Sequence, residues 1–448
     1  MEGQALTPAD AHGGARLRRV RLEDLPRPGS RGRDPEAERA AARILADVEA
    51  RGEAAVREWA ERLGELEPGA PLVIGREGLE AALAGLPAAE RRILERARDR
   101  VLAFARAQRA ALRDIDVPVP GGRAGHRFVP VGRAGCYVPG GRFPLPSSAI
   151  MTTCAARAAG VATIWCAGPK PSRATLAAAA LCGAEGFVAA GGAQGIAALA
   201  YGAGPPPCDV VVGPGGRYVA AAKRLLIGVV GTEAPAGPSE LLVIAGEGAD
   251  PEMAAADLLA QAEHDVAALP AIVVLGGAGG SPFAERFASA LEESLERRLA
   301  ALPEPNRSTA SSALANGWIL LARDEAEARA AADRFAPEHL ELLVKGPAAW
   351  AASIGNAGAL FLGPGSAEVF GDYGAGPNHC LPTGGAARFA AGLSVLAFLR
   401  ARTWLEMDAA PGPEGEELAA EAAALARIEG LEAHARAAEL RSARRDAD

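Results

Sequence analysis

The sequence predicts an α/β protein whose sheets are mostly parallel and covered by helices on both faces. Three observations carry that expectation. The chain has 448 residues, 49% hydrophobic and 23% charged; these are ordinary values for a globular protein, and they exclude disorder over the whole chain. Short apolar runs alternate with Ala-rich helical segments over most of its length. The segments between those runs are long enough for the crossover helix that parallel pairing requires. At roughly 150 residues per domain the length allows two or three domains, and there are too many strand–helix units for one simple sheet. Two α/β lobes are expected.

Each element has its own signal. Residues 1–34 are polar and rich in Arg, Gly and Pro, and read as a loose arm. Pro35–Arg51 and Ala88–Arg113 place apolar residues near a 3.6-residue period with charges on the other face, and read as helices. Asp116–Gly125 is rich in Pro and Gly and breaks the pattern. The expected strands are Val161–Cys166, Gly186–Ala189, Asp209–Val212, Leu241–Ala245, Ala271–Leu275, Trp318–Leu321, Leu340–Val344 and Ala359–Leu362. The expected helices between them include Ala149–Ala159, Arg173–Cys182, Arg217–Leu226, Pro251–Ala262, Pro282–Ala300 and Asp324–Phe335. Glu416–Arg444 reads as one more amphipathic helix, after a break at Pro411–Gly415.

Composition excludes some functions. The formal charge of −8 argues against a nucleic-acid binder, which needs a basic face. Lys170, Lys223 and Lys345 are the only lysines, so Arg carries nearly all the positive charge. That is a composition bias, and scattered Arg does not mark anion sites. Met1–Arg33 has no apolar core of a signal peptide. Thr175–Gly204 is the longest weakly charged stretch, and Glu185 and Gln194 within it favour a buried α/β segment over a membrane span. A cytoplasmic protein would leave the Asn306-Arg307-Ser308 sequon unused. Cys136, Cys154, Cys166, Cys182, Cys208 and Cys380 form no CxxC pair and read as buried reduced thiols. Neither GxGxxG nor GxxxxGK[ST] occurs. The nearest Gly-rich turns, Gly191–Gly195 and Gly213–Gly216, each follow an expected strand and precede a helix. That is where a parallel sheet holds a ligand, although such turns also serve as plain connections.

The histidines are His12, His126, His264, His339, His379 and His434, and four of them stand in polar clusters. Gln261 and His264 are three apart at the end of a helix begun by Asp250 as N-cap, so they share a face. An imidazole and an amide oxygen there suit a borderline metal such as Zn²⁺; the alternative is a capped, solvated helix end. Glu338-His339 precedes an apolar strand and supplies two proton acceptors of different intrinsic pKa. That suits a reaction with two deprotonations; the alternative is a surface loop. Asp372 stands among Gly371, Tyr373 and Gly374, followed by Asn378-His379 and Pro382-Thr383, a composition that favours a site loop. Asp372 is a candidate hard oxygen ligand. Glu429 and His434, five apart, would lie about 140° apart around a single helix and share no face.

Together, the motifs resemble the histidinol dehydrogenase family. They are Tyr137-Val138-Pro139-Gly140-Gly141, Gly191-Gly192-Ala193-Gln194, Val212-Gly213-Pro214-Gly215 and Ala236-Gly237-Pro238-Ser239-Glu240. Then come Asp257 through His264, Ala336-Pro337-Glu338-His339-Leu340-Glu341, Gly371-Asp372-Tyr373, Asn378 through Thr383 and Glu429 through His434. The resemblance implies two incomplete Rossmann-like lobes with parallel sheets, plus a small helical C-terminal tail that swaps across a dimer. Its expected divisions are an N-terminal arm (1–34), a discontinuous first lobe (35–133 and 241–395), an inserted NAD-binding lobe (134–240) and a dimerisation tail (396–448).

The activity implied is a zinc-dependent four-electron oxidation of L-histidinol, through L-histidinaldehyde, to L-histidine with two NAD⁺, the last step of histidine biosynthesis. By the same resemblance Gln261, His264, Asp372 and the other subunit's His434 bind Zn²⁺, which holds the substrate. His339 takes the proton from the alcohol and serves again in the second oxidation, while Glu338 activates water. Ser239 and Glu429 contact substrate with the metal ligands and His339. Tyr137 and Gln194 line the dinucleotide, together with the Gly216 position. His379 reads as a supporting residue. Where the family has Asn after Gly-Pro-Gly, this chain has Gly216, which leaves one cofactor hydrogen bond missing or replaced by backbone. Where the family has Ile-Asp, it has Thr232-Glu233, which keeps the acid and lengthens it. Competing readings are a paralogue acting on another small polar alcohol, a zinc-dependent hydrolase without a dinucleotide, and a non-catalytic metal scaffold. A cytoplasmic homodimer is expected.

Overall fold

The computed structural model describes residues 16–25, 34–140, 143–233, 237–276, 282–408 and 412–442. His12, Gly141, Ala236 and most of the expected arm lie outside the described residues. The strands, in chain order, are β1 (Arg18–Arg19), β2 (Val73–Gly75), β3 (Ile115–Val119), β4 (Gly122–Pro130), β5 (Arg133–Tyr137), β6 (Thr163–Ala167), β7 (Gly186–Val188), β8 (Val210–Val212), β9 (Gly231–Thr232), β10 (Glu240–Ala245), β11 (Leu269–Leu275), β12 (Trp318–Ala322), β13 (His339–Leu343), β14 (Ala359–Leu362) and β15 (Leu399–Met407). The helices are α1 (Pro35–Arg51), α2 (Glu53–Arg62), α3 (Arg76–Ala84), α4 (Ala88–Ala110), α5 (Pro146–Ala159), α6 (Arg173–Leu181), α7 (Gly192–Tyr201), α8 (Arg217–Leu225), α9 (Pro251–Ala262), α10 (Pro282–Ala301), α11 (Asn306–Leu314), α12 (Glu325–Phe335), α13 (Pro347–Ser353), α14 (Glu368–Asp372), α15 (Gly412–Ile428) and α16 (Glu432–Ser442).

Two six-stranded sheets organise the larger compact unit, Met1–Arg106 with Gly132–Phe398. One runs β1-β12-β11-β10-β13-β14 and is parallel throughout. The other runs β2-β7-β6-β5-β8-β9, parallel except for β2 at its edge. In each, after an edge strand contributed earlier in the chain (β1 or β2), the chain enters at a central strand, builds outward on one side and then returns to build on the other. That order creates a switch point beside the central strand: between β10 and β13 in the first sheet, between β5 and β8 in the second. Central strands are buried on both faces, which explains their unbroken apolar runs. In β10, Leu241, Val243 and Ala245 enter one core with α9 and α10, while Leu242 and Ile244 enter another with Phe335 and Trp350.

The structure differs from the expected lobes in four ways. The apolar stripe of α1 (Ala37, Ala41, Ile44, Leu45, Val48) packs in the core that holds Tyr137, Val188 and Ile196. Residues 35–75 thus join the second sheet, not the lobe of residues 241–395; an amphipathic helix does not itself specify which sheet covers it. In the expected arm, Arg18–Arg19 pairs with Trp318–Ile319 as an edge strand, and Leu25 is buried. The stretch around Asp116–Gly125 forms the hairpin β3–β4, joined antiparallel by β15 in a three-stranded sheet. That sheet belongs to a second unit, Ala107–Val131 with Leu399–Asp448, so the tail is not purely helical. The single helix expected over Glu416–Arg444 is two, α15 and α16, separated at Gly430, whose φ of +77° belongs to the left-handed region. Glu429 stands in that turn, so the single-helix angle to His434 does not apply.

Candidate active site

The amino edge of the first sheet collects the polar residues. His339 opens β13 and Glu240 opens the neighbouring β10, with Leu241 paired to His339. His339 Nδ1 lies 3.1 Å from the Glu240 carbonyl, a contact that places the proton on Nδ1 and leaves Nε2 as an acceptor. Burial depresses the imidazole pKa to about 4, so His339 is neutral near pH 7. Glu338 accepts the Glu240 N–H at 2.9 Å, and burial pushes its carboxyl well above the usual range. A carboxylate so raised is a stronger base. The two side chains expected to move protons are therefore held by the backbone at both ends of one residue, Glu240. Its own carboxylate accepts the Gly384 N–H.

The same edge gathers ligand-type atoms. His264, beyond the end of α9, has Nε2 3.5 Å from Asp372 Oδ2. His264, Glu368 and Asp372 each offer an atom within 4.8 Å of the others. Gln261 is fully buried, and its amide is oriented so that nitrogen donates to Glu368 at 2.6 and 3.1 Å. Its oxygen is thereby left to face another partner. Imidazole, carboxylate and amide oxygen together match the donor preferences of Zn²⁺. Asp372 is supported from behind: His379 Nδ1 is 3.7 Å from Oδ1, and His379 Nε2 is 3.3 Å from the Ser148 hydroxyl. Ser239 immediately precedes Glu240 and enters the same edge.

Glu368 went unnoticed in the sequence. It starts α14 four residues before Asp372, so the two share a helix face. That i,i+4 spacing was the available signal, obscured because the surrounding stretch reads as a loop. Glu368 is wholly buried, and burial raises its carboxyl well above the ordinary range.

The carboxyl edge of the second sheet holds the other candidates. Tyr137 ends β5, and its hydroxyl accepts the Gly192 N–H at 3.0 Å. Gln194 donates to Glu65 at 2.7 Å, and its own oxygen is buried with no hydrogen-bond partner among the described residues. Glu65 also accepts the Gly191 N–H at 2.8 Å. Across the switch point Glu233 accepts the Gly213 N–H at 2.7 Å. The Gly-rich turns at Gly191 and Gly213 are therefore already occupied by carboxylates of this chain and are not open phosphate cradles. A Cβ on Gly213 would collide with the Tyr137 carbonyl, so the turn crosses β5 at the closest possible approach. Gly216 faces open space. Buried acceptors beside this switch point, Gln194 Oε1 and Glu233 Oε2, have no partner among the described residues and fit the neutral donors of a dinucleotide.

The segment Asn378–Gly384 lies between the two edges. The Cys380 thiol feels Glu233 and Lys223 on one side and Glu338 and Asp372 on the other, and burial is the main force raising its pKa well above normal. All six cysteines are free and buried. Cys136, likewise raised by burial, and Cys380 are poor candidates for a thiolate nucleophile. His126 stacks edge-on against Phe128 in the small antiparallel sheet, and its Nε2 is buried with no hydrogen-bond partner among the described residues.

The sequence profile described as histidinol dehydrogenase matches residues 29–442. A histidinol dehydrogenase of Dechloromonas aromatica is 40% identical over 90% of this chain and 92% of its own length. The crystal structure of histidinol dehydrogenase from Elizabethkingia anophelis superposes with a TM-score of 0.84 and 27% identity, covering 96% of this chain and 98% of that one. The chain belongs to the histidinol dehydrogenase family. This makes it an NAD-dependent oxidoreductase, and a hydrolase without a dinucleotide is no longer a viable reading. The family also has other specificities among its members' names. A sulfopropanediol 3-dehydrogenase of Ruegeria pomeroyi is 39% identical over 90% of this chain and 91% of its own length. Within this histidinol dehydrogenase family member, Glu429 and His434 lie in the second compact unit, exposed on the turn and on α16. Among the described residues no helix is long and apolar enough to cross a membrane.

Proposed function

We propose that this protein is a cytoplasmic, homodimeric histidinol dehydrogenase that oxidises L-histidinol through L-histidinaldehyde to L-histidine with two NAD⁺, completing histidine biosynthesis. The observation that carries the reading is the convergence of a neutral, oriented His339 and a basic Glu338 with Gln261, His264 and Asp372 at one sheet edge. Gln261, His264 and Asp372, with His434 supplied by the partner subunit, would hold Zn²⁺. When bound, the ion orients the substrate and polarises its reacting oxygen.

The chain's own residues then account for the proton transfers. His339 Nε2 accepts the alcohol proton as hydride passes from carbon to NAD⁺, giving the aldehyde. Glu338 takes a proton from water as the water oxygen adds to the aldehyde carbon. Once His339 has released the first proton to solvent, the resulting hydrate loses a second hydride to a second NAD⁺ and a second proton to His339. Each hydride transfer removes two electrons, four in all. Glu429 and Ser239 contact the substrate, Glu429 as a partner for its amino group. Tyr137, Gln194 and the Gly216 turn position the dinucleotide.

The test is a pair of substitutions assayed step by step. His339→Asn should slow alcohol oxidation by about 10²–10⁴-fold while bound zinc is retained; loss of zinc would refute its assignment as a base. Glu338→Gln should slow oxidation of supplied aldehyde far more than the first hydride transfer, and equal slowing would refute water activation. The second reading, a dehydrogenase of another small polar alcohol, draws on the sulfopropanediol relative. Faster turnover of sulfopropanediol than of L-histidinol would favour it.

A further inference from the structure

Lys223 and Glu233 form an ion pair at 2.6 Å with both side chains about 5% exposed. A buried pair of this kind gives back in attraction little more than its desolvation costs, so stability alone is a weak reason to keep it. Its geometry supplies another reason. The Glu233 Oε1 that meets Lys223 also accepts the Gly213 N–H at 2.7 Å, and the Lys223 ammonium donates to the Gly213 carbonyl at 2.8 Å. Both polar groups of one residue are gripped, at a φ of +124° that favours Gly. The turn at the second sheet's switch point is therefore set by a charge pair.

One atom is left over. Glu233 Oε2 is buried with no hydrogen-bond partner among the described residues. A buried carboxylate oxygen left unpaired is costly, and a bound donor would relieve it. The surroundings specify the donor. β8, the Gly213–Gly216 turn, α8 and β9 make a parallel βαβ unit, and Glu233 follows β9 twenty residues after Gly213. Strand, Gly-rich turn, helix, strand and then an acid about twenty residues on is a layout in which a carboxylate reads a ribose hydroxyl, there on the adenosine side; which ribose is met here is decided by what lies next to the pair. This unit lies on the later half of the sheet, and Cys380 relates the pair to Glu338 and Asp372. The half of the dinucleotide nearest the reacting carbon is the nicotinamide riboside.

We propose that Glu233 Oε2 accepts a hydrogen bond from a hydroxyl of the nicotinamide-side ribose of NAD(H), and that Lys223 is the positioning residue that holds the carboxylate and the Gly213 turn ready for it. This rests on the dinucleotide reading above and adds a residue to it.

The experiment is equilibrium binding to the full chain, by NADH fluorescence and by calorimetry with ADP-ribose and ADP, and needs no turnover. ADP-ribose keeps the ribose in question; ADP lacks it. Glu233→Gln should weaken NADH and ADP-ribose about tenfold, the scale of a lost hydrogen bond to a charged group, and leave ADP within twofold. Glu233→Asp should recover part of the loss. Because Glu233→Gln leaves Lys223 buried without its counter-charge, the double variant Glu233→Gln with Lys223→Met tests the same point without an unpaired charge. A reduced dinucleotide lacking hydroxyls on the nicotinamide-side ribose should bind the wild type as weakly as NADH binds the variant. NADH binding within twofold of wild type in either folded variant would overturn the proposal, as would equal losses for NADH and ADP. Wild-type protein that binds no NADH would overturn the dinucleotide reading itself.

Discussion

His339 shows how much a single residue owes to its backbone neighbour. The Glu240 carbonyl fixes its tautomer and burial keeps it neutral, so the pair Glu338-His339, adjacent in sequence, arrives as a pair in space. That adjacency is why these residues were legible. Glu65 was not, because it acts on a glycine far along the chain: 126 residues separate it from Gly191. Nor does sequence spacing show that a turn's N–H is already taken by a carboxylate. Gly216 offers a prediction at this scale. It is the N-cap of α8, its φ of −66° suits any residue, and a Cβ there meets nothing within 4 Å. Gly216→Asn should therefore fit without strain, stabilise α8 by a few tenths of a kcal/mol as a better N-cap, and tighten NADH binding several-fold. Unchanged NADH affinity would mean that the turn does not face the dinucleotide.

Among elements, legibility followed burial. β10 is buried at every position, and its run of apolar residues announced it. β3 and β15 alternate apolar and polar residues but expose most of both and carry Pro, Arg and Glu, so no continuous apolar run marks them. β13, α9 and α14 are joined by charge as well as packing. Glu341 on β13 accepts the Glu368 N–H at the start of α14 and has Asp257 of α9 as a charged neighbour. Burial and the neighbouring Asp257 push Glu341 up to about 8, while in the unfolded chain it ionises near the ordinary carboxylate value. The folded protein thus keeps a proton that the unfolded chain releases. The linked stability is full below pH ~4.5 and is lost as pH rises through about 8. Glu341→Gln keeps a neutral group in place. In chelator-treated protein its urea midpoint should fall less between pH 5.5 and 8.5 than that of the wild type. Parallel declines would contradict the proton kept on Glu341.

For the whole molecule, strand–helix alternation gave two parallel sheets, and both have the outward-then-return order that creates a switch point. What it did not give is which helices cover which sheet: α1 and α2 reach across the sequence to the second one, since an apolar stripe specifies an amount of burial and not a partner. The two edges carry different groups: Glu338, His339 and the ligand-type atoms at the amino edge of the first sheet, buried acceptors beside the Gly-rich turns at the carboxyl edge of the second. If His434 completes the site of a partner subunit, inactive His434→Ala protein mixed with inactive His264→Ala protein should regain about a quarter of the normal activity once subunits exchange, because one of the two sites in each mixed dimer, itself half of the population, is intact. No recovery despite proven exchange would place the whole site in one chain. The central claim is the double oxidation. Purified, zinc-loaded protein should be given a limiting amount of L-histidinol with excess NAD⁺, and the NADH formed should be counted. Two NADH per histidinol are expected, with L-histidine as product. One NADH with free aldehyde, or none, would contradict the account.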